Sequence, residues 1–268
     1  MDYSYLKNRV VIVTGGASGI GLATCWELAH HGARIAMFDM DRNSLENCQK
    51  NFSDRGHDIL VLECDVTNEK DCQDAVNQVL KKFGQIDILF NNAGITQRGL
   101  FEKTDIKVFK KVMDVNFFGS LYCTKAALPS LIKSKGMIMV NESIAGVAPL
   151  LGRTGYSASK HALHGMFTSL RCELRHKGVH VMIACPGFIK TNLQTRALGS
   201  NGEIASHEQT TVGKSDTPEN VAKQIAKGIV KKKPMLVLTF MGKIAYLISR
   251  FSPLLYERIM TRQFKDEL

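Results

Sequence analysis

The chain has 268 residues, 44% of them hydrophobic and 22% charged, with a formal net charge of +10. This is the composition of an ordinary soluble globular protein, and no apolar run reaches the roughly 18–20 residues that a membrane span needs. The excess charge has no aromatic-interleaved basic stripe beside it, so no nucleic-acid partner is expected.

The first strand, over 9–14, begins almost at the N-terminus and leaves no room for a signal peptide. A cytoplasmic location is therefore expected, and the terminal Lys-Asp-Glu-Leu is read as a chance match to a retention address. The strand runs into TGGASGIG at 14–21, which opens a helix over about 19–31. Gly15, Gly19 and Gly21 allow a tight turn and close backbone approach to a pyrophosphate, while the helix N-terminus offers free N–H groups.

The second strand, 34–39, closes on Asp39. A carboxylate there accepts hydrogen bonds from both ribose hydroxyls of an adenosine and repels a 2′-phosphate. No Arg or Lys lies in the glycine turn, so NAD(H) is favoured, and Arg42 keeps NADP(H) open. A helix over about 41–54 leads to the third strand, 58–65, which ends at Asp65. That residue is either an acceptor for the adenine amino group or a turn residue.

After a helix over about 68–83, the fourth strand, 85–94, ends in Asn91-Asn92-Ala93-Gly94. The asparagines satisfy a broken strand end, and the glycine lets the chain pass close to a cofactor. One long helix over about 105–133 and a fifth strand over 136–143 follow.

The next helix carries Tyr156, Lys160, Leu163, Phe167, Leu170 and Leu174 in steps of four and three, the spacing of one face. A phenol and an ammonium thus occupy an otherwise apolar stripe. A second face of small and apolar residues, Ala158, Ala162, Met166 and Ser169, predicts burial on two sides or a partner chain.

A sixth strand over 178–187, a helix over about 218–231 and a last strand over 234–238 complete the pattern. The alternation predicts an α/β fold: a single Rossmann-type domain with a doubly wound parallel seven-stranded sheet and helices on both faces. Residues 1–239 form the dinucleotide-binding catalytic domain, in which the polar segment 192–215 reads as a substrate lid. Residues 240–268 read as a basic amphipathic extension of the same domain.

In that extension Met241, Ile244, Ile248 and Phe251 face away from Lys243 and Arg250, and Ser252 with Pro253 restarts a second helix. Such helices lie on an anionic membrane surface through 240–264, or pack over the cleft or between subunits. The packed arrangement is favoured. Seven scattered cysteines without CxxC spacing predict reduced thiols and no metal site.

Taken together, TGxxxGxG at 14–21, NNAG at 91–94, Asn116, Ser143, YxxxK at 156–160 and PGxxxT at 186–191 make the chain resemble the short-chain dehydrogenase/reductase family. The segment SLRCELRHKGVHVMIACPGFIKT looks most like the branch handling steroids, retinoids and related lipids. The resemblance implies hydride transfer between nicotinamide and a secondary alcohol or ketone, with Tyr156 as acid/base.

By the same resemblance Lys160 favours the phenolate and holds the nicotinamide ribose, Ser143 donates to the substrate oxygen, and Asn116 holds a relay water. It further implies cofactor contacts at Ser18, Ile20, Val66, Asn92, Ala93, Pro186, Gly187, Ile189 and Thr191. Helices of this family also pair chains, which predicts a homodimer or homotetramer. Where the family commonly has two serines, this chain has Glu142 before Ser143. Strand alternation predicts that Glu142 points away from Ser143, toward a partner that the sequence does not name.

Val147, Leu150, Leu151 and Phe188 are candidate walls for a hydrophobic, lipid- or steroid-like substrate. Arg98, Arg153 and Arg196 are candidates for an acidic substrate group. Two alternatives stand beside the NAD-dependent enzyme: an NADPH-dependent carbonyl reductase, and a catalytically silent dinucleotide sensor. The intact Ser143–Tyr156–Lys160 set argues against the sensor.

Overall fold

Strand segments that are apolar on both faces must be covered on both sides, and here two helical layers enclose a parallel sheet. The computed structural model describes residues 1–205 and 215–265. Its strands are β1 (Val10–Thr14), β2 (Arg34–Asp39), β3 (Ile59–Glu63), β4 (Ile88–Asn91), β5 (Met137–Asn141), β6 (His180–Cys185) and β7 (Met235–Val237). They form one seven-stranded sheet in the order β3-β2-β1-β4-β5-β6-β7, every pair parallel.

Side-chain alternation builds two cores from the same strands. Val11 and Val13 pack with α1 (Gly19–His30), α2 (Arg42–Ser53) and α7 (Pro218–Val230). Val10 and Ile12 pack with α3 (Glu69–Phe83), α5 (Gly119–Ser134) and α6 (Thr154–Leu174). The strand order reverses between β1 and β4, which opens a crevice beyond Thr14 and Asn91. The glycine turn, Asp39, Asp65, Asn92–Gly94, Ser143 and Pro186 all lie at or just past strand ends along this one edge.

The long helix expected over 105–133 is interrupted. It comprises α4 (Ile106–Met113), a π turn over Asp114–Phe118, and α5. The wider turn carries the Asn116 side chain inward, where it bonds the backbone of Ile95 on the loop after β4.

The part of the expected lid that is described, 192–205, is tied down. Leu198 exchanges backbone hydrogen bonds with Thr96 and Arg98 at 2.9 and 2.7 Å. Its side chain packs with Val108 and Val112 of α4. Residues 206–214 of that segment lie outside the described residues, as do 266–268, which hold the last three of the Lys-Asp-Glu-Leu residues.

After β7 the chain forms α8 (Phe240–Phe251) and α9 (Pro253–Gln263). Thr239 caps α8 through Gly242 N at 3.1 Å. Ser252 stands at the expected cap position of α9, but its side chain makes no capping bond. Among the described residues no helix is long and apolar enough to cross a membrane.

Candidate active site

Gly15 and Gly19 adopt positive φ values of 60° and 54°, which fold the chain tightly between β1 and α1. A Cβ on Gly21 would lie 2.2 Å from the Gly15 carbonyl oxygen, so only glycine admits this packing. Ser18 opens α1 without a side-chain cap, so its hydroxyl claims none of the first-turn amides of Gly19, Ile20 and Gly21. Thr191 lies directly over Gly19, with its methyl 3.4 Å from where a Cβ would stand.

Asp39 stands at the end of β2 and accepts hydrogen bonds from Ala17 N at 3.0 Å and Asp41 N at 3.2 Å. Arg42 is turned to the surface, paired with Glu46 at 3.1 Å. Asp65 accepts two hydrogen bonds from Thr67 and so serves the turn. It also lines, with Met40, Glu63, Asp71 and Asp74, a cleft of about 370 Å³. Val66 is buried, and its carbonyl accepts the Cys72 thiol. Open amides at a helix start, a carboxylate at the β2 end and an adjoining cleft fit a dinucleotide laid across the strand ends.

Asn92 ties three strand ends together. Its Nδ2 donates to Thr14 O at 2.9 Å and Gly15 O at 3.0 Å, and its Oδ1 accepts Asn141 Nδ2 at 2.9 Å. Asn141 in turn offers its backbone carbonyl to Lys160 Nζ at 2.8 Å. A continuous polar path therefore joins the glycine turn to the lysine on α6. Asn91 is buried and bonds Thr124 Oγ1 instead. Ala93 N meets Thr14 Oγ1 at 3.0 Å, and Gly94 passes between Asn116 Oδ1 and Lys160 Nζ.

Tyr156 and Lys160 are both buried on the first two turns of α6. Burial raises the Tyr156 phenol, while a hydrogen bond with Ser143 and the Arg153 guanidinium lower it. The lysine ammonium lies 5.6 Å from the centre of the tyrosine ring. Burial pushes Lys160 down to about 8.

Both amide hydrogens of Asn116 are used, one on Ile95 O at 3.0 Å and one on Ser159 Oγ at 2.9 Å. This binds the π turn to the Tyr156–Lys160 side of α6 and leaves only acceptor positions on Asn116 for a water.

A profile described as short chain dehydrogenase matches residues 9–201 of this chain. The chain belongs to the short-chain dehydrogenase family. Curated relatives agree over nearly its whole length. Dehydrogenase/reductase SDR family member 7B of Rattus norvegicus is 35% identical over 275 residues, covering 98% of this chain and 84% of that protein. The 11-beta-hydroxysteroid dehydrogenase-like 2 of Arabidopsis thaliana is 32% identical over 274 residues, covering 100% and 85%.

Among solved structures, a short chain dehydrogenase/reductase from Burkholderia phymatum, crystallised in complex with NAD, superposes with a TM-score of 0.84. It shares 22% identity and covers 95% of this chain and 96% of its own, a likeness of fold. The structure of gox2181 gives a TM-score of 0.78 at 28% identity, covering 88% and 96%.

In this short-chain dehydrogenase the C-terminal helices roof the side of the site where substrate walls were expected. Val147 O accepts Ser249 Oγ of α8 at 3.2 Å, Leu151 N approaches Met260 Sδ of α9 at 3.2 Å, and the Phe188 ring lies 6.4 Å from that of Phe264. Pro186 O accepts Ile144 N at 3.1 Å, and Gly187 lies against the Thr239 cap. Ile189 is buried and pairs with Asp216, closing the base of the 192–215 segment.

Glu142 takes the side of the sheet that alternation assigns to it, that of Ile138 and Val140 toward α6, and its N–H still pairs with Ala184 O of β6 at 2.8 Å. The partner that the sequence did not name is His164, with Nδ1 at 3.1 Å from Oε2. Its signal was available, since His164 continues the i+4 row of Tyr156 and Lys160. Asn141, Gln97 (whose Oε1 accepts Tyr156 N at 3.3 Å), Met260 and Phe264 had no comparable signal.

Replacing Asn92 with Ala removes three hydrogen bonds, two to the end of β1 and one to the end of β5, at about 1 kcal/mol each. A loss of roughly 2–3 kcal/mol in urea unfolding is expected, with weakened dinucleotide affinity beside it. A second expectation concerns Lys160, whose folded value of about 8 lies below the ordinary 10.5. Above pH 8 the unfolded chain holds the proton longer, so wild-type stability rises with pH relative to Lys160→Met. Unfolding measured at pH 7 and pH 9.5 should show that relative gain at roughly 2 kcal/mol.

Proposed function

We propose that this short-chain dehydrogenase uses NAD(H) to interconvert a secondary alcohol and a ketone on a hydrophobic, lipid- or steroid-like substrate. The observation that carries the reading is the Ser143–Tyr156–Lys160 set, with phenol and ammonium buried, joined through Asn141 and Asn92 to the glycine turn. The bound nicotinamide would supply or accept the hydride. Everything else falls to this chain's own side chains.

Tyr156 holds the proton that must leave the hydroxyl or reach the carbonyl oxygen. Ser143 stands beside that phenol and donates to the same oxygen, stabilising charge as it develops. Lys160, one turn along, faces the tyrosine ring and the crevice, where its remaining hydrogens serve the ribose hydroxyls. Arg153 adds a cation that pulls the buried phenol back toward a usable range. The roof of Met260 and Phe264 over Leu151 and Phe188 supports an apolar substrate.

Asp39 supports NAD(H). Its carboxylate sits at the β2 end, Arg42 is engaged by Glu46, and carboxylates line the adjoining cleft. The NADP(H) reading rests on Arg196, which lies near enough to lower the Asp41 carboxyl and could meet a 2′-phosphate.

The same helix supports a homo-oligomer: Ala158 and Ser169 are exposed on the face where small residues were expected to meet a partner. Contact with an anionic membrane surface through 240–264 is supported by exposed Phe240, Leu247, Phe251 and Leu254 near Lys243 and Arg250.

Tyr156→Phe should abolish turnover in a screen of steroid and aliphatic alcohols and ketones, with NADH binding nearly intact. Substantial remaining activity would remove the acid/base role. Titration with NADH and NADPH, followed by nicotinamide fluorescence, should show at least about tenfold tighter NADH, or ~1.4 kcal/mol. Two charge-assisted hydrogen bonds to Asp39, roughly 1.5–3 kcal/mol each, underlie that preference. Equal or tighter NADPH binding would assign the phosphate to the arginines.

A further inference from the structure

The catalytic helix carries a third polar residue on the row that begins with Tyr156 and Lys160, and it is used. His164, one turn beyond Lys160, meets Glu142 at 3.1 Å. The carboxylate side chain is fully buried, whereas the imidazole is a third exposed. Glu142 lies between Asn141, whose carbonyl holds Lys160 Nζ, and Ser143, which bonds the phenol.

Its position is built. The backbone N–H of Glu142 donates to Ala184 O at 2.8 Å, and Gly146 leaves room for the carboxylate, since a Cβ there would stand 2.2 Å from Oε1. Oε1 has no hydrogen-bond partner among the described residues.

We propose that Glu142 is a positioning residue for the reaction: its buried carboxylate, held ionised by His164, is the counter-charge that keeps Lys160 an ammonium beside Tyr156. The consequence for turnover rests on the oxidoreductase reading above, but the pairing itself does not.

The electrostatics run the same way. Burial raises Glu142, and the hydrogen bond from His164 brings it down, with Lys160 and His161 adding to that lowering. Glu142 in turn raises Lys160 against the desolvation that depresses it. It also raises the buried Tyr156 phenol and the Cys185 thiol of β6. The groups around His164 are Glu142, Arg171 on its own helix and Arg250 on α8, and the two arginines oppose its protonation. An isolated carboxylate this deeply buried would take up a proton instead. His164 supplies a donor that opposes this uptake, although burial still leaves the Glu142 carboxyl above its ordinary value.

The decisive measurement uses the whole protein without cofactor or substrate. Protein labelled with ¹³C-lysine is titrated from pH 6.5 to 10.5, and the Lys160 side-chain resonance is assigned with Lys160→Arg. The wild-type midpoint should lie near 8. Glu142→Gln keeps the shape and removes the charge, so the midpoint should fall by about one unit. His164→Ala, at a partly exposed position, should lower it in the same sense by leaving Glu142 to protonate. The double variant should fall no further than either. Midpoints that coincide in wild type and both single variants would overturn the proposal.

A second readout follows NADH affinity against pH. In Glu142→Gln the high-pH loss of binding should move to lower pH by the same interval, and an unmoved profile in a protein that binds NADH would also count against it. Failure of the wild type to bind NADH at any pH would overturn the nicotinamide reading, while the lysine titration would still decide the pairing.

Discussion

The Asn92 side chain is the constraint on which the site depends. A parallel sheet leaves backbone carbonyls unpaired where each strand stops, and three strands stop together at the crevice. One amide meets two of those carbonyls, at Thr14 and Gly15, and takes the Asn141 amide on its oxygen. The glycine turn cannot tilt away from β4 without breaking these bonds. β5 is held in register at the same point, and with it the carbonyl that receives Lys160. The glycine turn and α6 are thus parts of one hydrogen-bonded unit.

Charge burial is the second organising principle. Lys160, Glu142 and Arg153 are all withdrawn from solvent near one buried phenol. Each would be costly alone, and each meets an opposite charge or a carbonyl nearby. The result is a polar cluster within an apolar layer. α6 can carry it because its remaining inward residues, Leu163, Phe167 and Leu174, belong to the core. The helix is anchored by grease at one end and aimed by charge at the other.

The C-terminal helices close one side of the site. The fold as a whole is shared with a structure of 22% identity that covers 95% of this chain. Within it α9 brings Met260 and Phe264 against Leu151 and Phe188. Its neighbour α8 sends Ser249 to the backbone of Val147. The outer surfaces of both helices keep exposed Phe251, Leu254 and Leu255. One pair of short helices thus presents apolar groups both inward to the cleft and outward to the surroundings.

The sequence by itself determined the sheet, the helical layers and the edge at which chemistry gathers, because these follow from apolar periodicity and from glycines at strand ends. β2 matches its apolar run, 34–39, without a shift. Tyr156 and Lys160 were legible as a polar pair on an apolar stripe, since helical spacing is a local property. What depends on contacts between distant residues was decided only by the tertiary structure. The π turn at Asn116 arises from bonds to Ile95, twenty-one residues away. The Asn92–Asn141 link spans forty-nine residues, and the roof over Leu151 more than a hundred. Glu142 shows the boundary between the two. Period-two alternation sets the side it takes, that of Ile138 and Val140, because its N–H still pairs with Ala184 of β6. That His164 of α6 stands opposite is a tertiary contact.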